Sequence, residues 1–204
     1  MAVRSVPRTR FTKASNPWRA LAALVRRARR AHHRDPDAMA LATTGASGRP
    51  AVRMVLLRGI DRRGLTFFTN YGSRKGRELA HRPFASVAFY WPEIERQVRV
   101  EGRVRRLSAA ASDTYFASRP REARLAAWSS DQSKPLASRA VLRARYRAME
   151  ARFRNREVPR PPYWGGFVLI PDAFEFWAAR PHRLHERFRF TRRGATWRRE
   201  LLAP

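Results

Sequence analysis

The chain has 204 residues, 44% of them hydrophobic, and carries 44 basic against 16 acidic side chains for a formal charge of +28. The length suits one sizeable domain, and the absence of cysteine excludes disulfides, thiolate chemistry and Cys-ligated metals. The five histidines (His32, His33, His81, His182, His185) include no i, i+4 pair of the kind that holds zinc, and no apolar run approaches the ~18 residues that span a bilayer, so a cytoplasmic protein without a membrane segment is expected.

Residues 1–15 mix Arg, Thr, Pro and Ser without periodicity and read as a flexible arm, leaving 16–204 as one domain. Asn16-Pro17 starts a helix, with Asn as N-cap and Pro in the first turn. Trp18, Leu21, Ala22, Val25 and Ala28 share its apolar face, and it runs to near His33. A period of two then takes over. Strands are predicted at 39–44, 52–57 and 65–69, with turns at 45–50 and 61–64. Ser73 caps a short helix over 74–81, and 85–91 and 97–107 are two more strands joined by 92–96. Residues 108–156 turn helical in three pieces, 108–118, 122–128 and 138–153, with a break at Arg119-Pro120. Residues 159–162 form a stiff extended linker. The last strands are predicted at 164–170, 172–177, 184–191 and 196–201. A meander of this kind, without GxGxxG or a P-loop, argues for a mainly β, α+β fold: a small antiparallel barrel with packed helices.

Cationic and aromatic side chains recur at strand ends. On a strand, Arg183, His185 and Arg187 would share one face. Two arginines and a histidine cannot form a core face without an anionic partner, which leaves a solvated face or a ligand site walled by Trp177. Arg53 and Arg58 bracket a strand. Thr69, Ser73, Arg74 and Lys75 gather where a strand meets a helix N-terminus, either as a phosphate cradle or as an ordinary capped helix with two solvated cations. Tyr115 and Arg119, four apart, would be helical neighbours, able to clamp a phosphate or carboxylate, or simply a packed Tyr beside an exposed Arg. Gln132-Ser133 lies in a polar loop. There is no GxSxG nucleophile and no obvious carboxylate pair, so the residue types point to a borrowed cofactor; a flavin phosphate would use the cations and its ring the aromatics. The net charge invites a polyanion partner, but the arginines are spread along the whole chain, and no specific nucleic-acid role is expected.

In order, these segments resemble the pyridoxamine/pyridoxine 5′-phosphate oxidases, FMN enzymes of the split β-barrel class. The likeness runs from about Asn16 to Pro204. Its most specific motif is Glu175-Phe176-Trp177 followed, after five residues, by Arg183-Leu184-His185-Glu186-Arg187, with support from RMVLLR at Arg53, FFTNYGSRK at Phe67, RQVRVEG at Arg96, YFASRP at Tyr115, Gln132-Ser133 and WGG at Trp164. The resemblance implies a homodimer with FMN at the interface, held by Arg53, Met54, Val55, Leu56, Leu57, Arg58, Phe68, Thr69, Arg74, Lys75, Gln97, Gln132, Ser133, Trp177 and Arg187. It implies a substrate phosphate gripped by Arg58, Tyr115 and Arg119, with Arg183 and His185 over the pyridine ring as catalytic residues. The implied reaction oxidises pyridoxamine or pyridoxine 5′-phosphate to pyridoxal 5′-phosphate, with O2 as acceptor and H2O2 as by-product.

The chain departs from the family pattern at Arg58, where Lys is usual, at Ala123, where a Ser is usual, and at Phe68, where Tyr is commoner; Glu186 replaces Asp. The tail reads Glu-Leu-Leu-Ala-Pro where an Arg usually precedes Leu-Ala-Pro, and the first residues lack an Arg-Arg-Glu-Tyr-like segment. Two other functions compete: a related flavin oxidase of the phenazine-biosynthesis type, and a basic nucleic-acid-binding protein without catalysis.

Overall fold

The computed structural model describes residues 16–31 and 34–204, so the expected arm at 1–15 lies outside the described residues. Helix α1 (Pro17–Arg30) starts where expected: the Asn16 side chain accepts from the Trp18 and Arg19 amides. It ends at Arg30, with Ala31 as C-cap; His33, its expected limit, is not among the described residues. Four strands follow, β1 (Ala38–Thr44), β2 (Pro50–Leu56), β3 (Gly59–Asp61) and β4 (Gly64–Asn70). The three-residue β3 is an addition to the predicted set, formed because the 61–64 turn folds the chain back on β4. Helix α2 (Arg74–His81) is capped by Ser73, whose side chain accepts from the Gly76 amide. Strands β5 (Phe84–Trp91) and β6 (Arg96–Arg106) and helices α3 (Ala109–Ala117), α4 (Arg121–Ser129) and α5 (Arg139–Arg152) fall within a few residues of the predicted segments.

The largest departure from expectation is β7 (Trp164–Ala178), one strand of 15 residues where a break at Pro171 was predicted. Its continuity follows from its neighbours. Along one edge it pairs with β6 throughout; along the other, β4 covers residues 164–169 and β8 (Glu186–Arg193) covers 173–178. Pro171, which has no amide to donate, falls in the gap between β4 and β8 and next to a bulge in β7 opposite Glu101 and Gly102 of β6. Gly102 is required there, since a Cβ would lie 2.0 Å from the Ile170 carbonyl oxygen. Strand β9 (Thr196–Leu202) completes the sheet on β8.

All pairings are antiparallel, in the order β2-β1-β5-β6-β7-β4-β3, with β8 and β9 beyond the second half of β7. The sheet curls into a half-barrel. Its inner face buries Met39, Leu41, Phe67, Phe89, Val98, Val100, Phe174, Phe176, Phe188 and Phe190 against Leu21, Leu24 and Val25 of α1. A second cluster, Phe116, Leu125, Phe153, Val158 and Trp164, joins the later helices to the start of β7. The fold is thus the expected mainly β, α+β split barrel. No helix among the described residues is long and apolar enough to cross a membrane.

Candidate functional site

A cleft of about 280 Å³ opens where β2, β4, α2, α3 and β7 meet. Its walls are Met54, Val55, Leu56, Arg58, Phe68, Thr69, Lys75, Tyr115, Arg119, Gln132 and Trp164, which include three cations and no carboxylate. Three rings form a parallel stack along one side: Phe68 lies 3.8 Å from Tyr115 and 5.5 Å from Trp164. The Gly165-Gly166 pair after Trp164 lets this stack form. A Cβ at Gly166 would meet the Phe68 ring at 2.8 Å, and one at Gly165 would strike the Tyr71 hydroxyl at 2.1 Å.

The cations are held in different ways. Arg119 sits just beyond α3, not within it, yet lines the same cleft as Tyr115. Its guanidinium lies 4.7 Å from the Trp164 ring centroid. Burial holds its pKa below the ordinary arginine value, against the attraction of Tyr115 and with a smaller push from the nearby Arg58 charge. Its Nη1 is buried and has no hydrogen-bond acceptor among the described residues. Lys75 donates to Gln132 Oε1 at 2.9 Å and to Thr69 Oγ1 at 3.2 Å. Burial first, then the Arg53 charge, pushes its pKa down, with Glu78 opposing. Arg53 and Arg74 lie beside the cleft, not in its wall, and both bind Glu78, at 3.0 and 2.8 Å.

Leu57 and Ser133, both expected at the site, stay out of the cleft wall. Leu57 is buried in the core, and Ser133 is exposed on a turn in the left-handed region (φ 71°). Trp164 is quoted above as a strand start and in the WGG motif but not as a site residue; its place at the strand's beginning, ahead of two glycines, is the available signal. Glu78 was missed because nothing local marks it as the partner of an arginine on another strand.

The remaining expected residues form a second group, at the far end of β7. Gln97, Trp177 and Arg187 are direct cross-strand neighbours on β6, β7 and β8. Arg187 is bidentate to Glu175 Oε1, at 2.9 and 2.8 Å, and donates to the Ala203 carbonyl. His185 packs on Trp177, ring centroids 4.7 Å apart, and its Nδ1 accepts from the Arg180 amide, which leaves Nε2 as the protonated nitrogen of the neutral ring. The strand alternation expected for Arg183, His185 and Arg187 does not occur. Pro181–Arg183 form a 3₁₀ turn, with His182 and Arg183 both at positive φ (57° and 60°), and only Arg187 lies on a strand. Pro181 fixes its own φ, and the turn that follows replaces the strand ladder. Arg183 is left exposed on a strained backbone, a conformation that persists only when its surroundings hold it.

Trp164 and Trp177 stand at opposite ends of β7. At about 3.3 Å per residue the intervening strand spans roughly 40 Å. One chain therefore does not bring its two groups together.

The donor set of the cleft fits a phosphorylated aromatic ligand: a half-buried arginine whose buried Nη1 has no acceptor, a lysine, a second arginine and flat ring walls. Comparison with known proteins gives the same direction. Residues 25–153 match the family described as pyridoxamine 5′-phosphate oxidase, and residues 164–204 match the pyridoxine 5′-phosphate oxidase C-terminal dimerisation region. A pyridoxine/pyridoxamine 5′-phosphate oxidase from Cyanothece sp. is 55% identical over 170 residues, covering 83% of this chain and 80% of the relative. One from Burkholderia thailandensis is 53% identical over 173 residues, with the same coverage. Among solved structures, PhzG from Burkholderia lata, in complex with tetrahydrophenazine-1-carboxylic acid, superposes with a TM-score of 0.89 at 36% identity, covering 95% of each chain. A pyridoxamine 5′-phosphate oxidase-related, FMN-binding protein from Nostoc punctiforme shares the fold, with a TM-score of 0.73 at 20% identity over 94% of this chain and 100% of that one. The chain belongs to the pyridoxamine 5′-phosphate oxidase family of oxidoreductases.

Proposed function

We propose that this protein is a cytoplasmic, homodimeric, FMN-dependent oxidase that converts pyridoxine or pyridoxamine 5′-phosphate to pyridoxal 5′-phosphate. The observation that carries the reading is the cleft with three cations, no carboxylate and a buried Arg119 Nη1 awaiting an acceptor. A buried N–H without an acceptor is costly, and a phosphate oxygen is the acceptor that best offsets the cost. Arg58, Tyr115 and Arg119 take the substrate phosphate. Lys75, with Arg53 and Arg74 behind it, takes the phosphate of FMN. Met54, Val55 and Leu56 of β2, with Phe68, Thr69 and Gln132, make the remaining contacts of that half.

Gln97, Trp177 and Arg187 of a second copy close the flavin site, and its Arg183 and His185 cover the substrate ring. Dimerisation is supported by the match to the dimerisation region and by the outer sheet face, where Val52 and Met54 are 69% and 62% exposed beside Leu56, Phe84 and Tyr90. When bound, FMN supplies the two-electron redox chemistry. Pyridoxine 5′-phosphate and O2 give pyridoxal 5′-phosphate and H2O2; pyridoxamine 5′-phosphate also takes up water and releases ammonia. The protein orients the C4′ carbon and excludes water, with Arg183 as a fixed cation beside it.

The likeness to PhzG supports a second reading, in which the same clamp holds the carboxylate of a reduced phenazine. The test is direct. The purified protein should be yellow with bound FMN and should release peroxide on addition of either vitamer phosphate. Turnover of a reduced phenazine carboxylate with neither vitamer phosphate oxidised would replace the first reading by the second, and absence of flavin would remove both.

A further inference from the structure

Glu78 is a buried carboxylate outside the cleft wall, with a side chain only 9% exposed. It sits on the second turn of α2 and receives three donors from three elements. Arg53 Nη2 of β2 reaches Oε2 at 3.0 Å, Thr43 of β1 donates its hydroxyl to the same oxygen, and Arg74 Nε of α2 reaches Oε1 at 2.8 Å. Burial pushes its pKa up, but the hydrogen bonds from Thr43, Arg74 and Arg53 and the Arg53 charge outweigh it, so the group stays ionised. Arg53 is fixed further by its Nη1, which donates to Thr43 and to the Leu41 and Ala51 carbonyls. The β1–β2 turn lies close to the same side chain: a Cβ at Gly45 would come within 3.3 Å of Glu78 Cγ.

We infer that Glu78 is a positioning residue that holds Arg53 and Arg74 ready for the phosphate of the flavin. This rests on the FMN reading of the cleft. Without an anchor, two long cationic side chains beside Lys75 repel one another and turn to solvent; tied to one carboxylate they are pre-ordered. The charges also match. Arg53, Arg74 and Lys75 against Glu78 leave two positive charges, the complement of a phosphate monoester near its dianion. The carboxylate repels that phosphate at longer range, so positioning and simple electrostatics make opposite predictions for its removal.

The experiment compares FMN with riboflavin, which lacks the phosphate, by quenching of flavin fluorescence on flavin-free protein prepared from the holoprotein. The wild type should bind FMN far more tightly than riboflavin. Glu78→Ala should weaken FMN about 10- to 100-fold, the loss of charge-assisted hydrogen bonds, and leave riboflavin affinity unchanged. Glu78→Gln keeps the shape and should also bind FMN more weakly than the wild type. It is the variant that decides if the alanine protein does not fold, with thermal unfolding as the check. A glutamine variant that binds FMN as tightly as the wild type, or more tightly, overturns the inference. Equal affinity of the wild type for FMN and riboflavin overturns the phosphate reading instead.

Discussion

The two ends of β7 differ in how complete they are. At the Trp164 end one chain supplies a walled cleft: stacked rings, a lysine anchored to Gln132 and Thr69, and a guanidinium in place before any ligand arrives. At the Trp177 end the same strand carries an open face. Trp177 and Arg187 point away from the core, His185 covers part of the indole, and Arg183 stands exposed on a left-handed turn. The first end is built to bind, whereas the second is built to be pressed onto something. The difference supports the proposed dimer, in which each chain offers its finished half to the other's unfinished one.

The strongest challenge to that comparison is to keep the chains apart. Val52 is exposed on the outer sheet face and does not line the cleft. Val52→Asp should leave far-UV circular dichroism unchanged, give a monomer in sedimentation, and abolish FMN binding and turnover. A Val52→Asp monomer that retains FMN would break the pairing. The next largest effect sharpens it. Arg119→Met removes the proposed donor to the substrate phosphate and should lower kcat/KM about 10- to 100-fold, and Trp177→Ala should weaken the proposed flavin site from the other end. Co-refolding the two proteins should restore about a quarter of wild-type activity, because half of random dimers are mixed and each mixed dimer holds one intact site. No recovery above the single variants would place both ends in one chain's site.

The smallest effect reports on the finished half alone. Lys75 has a folded-state pKa below its ordinary value, through burial and the Arg53 charge. Between that lowered pKa and the ordinary lysine range the unfolded chain binds more protons, so flavin-free stability rises with pH there. FMN affinity should fall over the same window, severalfold, as the cation facing the phosphate is lost. Lys75→Arg, which does not titrate there, should flatten that fall; an affinity profile unchanged by Lys75→Arg would separate the lysine from the phosphate.

Much of the fold was legible because its cues are local. Asn16 and Ser73 are read as caps from their side-chain chemistry, and the period of two located most strands. The unbroken β7 was not legible: Pro171 argues for a break unless one knows that two strands share that edge and meet beside it. The site divides in the same way. Tyr115 and Arg119 were marked by spacing, and Thr69, Arg74 and Lys75 by their junction of strand and helix. The Arg183–His185–Arg187 alternation gave a geometry that the left-handed turn at His182 and Arg183 replaces. Glu78 and its Arg53 partner are 25 residues apart in the chain, a pairing that only the folded sheet reveals.

The bulge in the middle of β7 has a consequence for both ends. Before it, Phe167 and Leu169 face the core; after it, Phe174 and Phe176 do. Odd positions point inward on one side and even positions on the other, because Asp172 is left without a partner between Pro171 and Ala173 in the β6 ladder. Trp164 and Trp177 are an odd number of residues apart and would fall on opposite faces of an ideal strand. One unpaired residue changes the phase, so that both tryptophans lie off the core face. The alignment of the two half-sites is therefore a matter of counting: a chain one residue shorter at this point would turn Trp177 and Glu175 inward and Phe174 and Phe176 out to water.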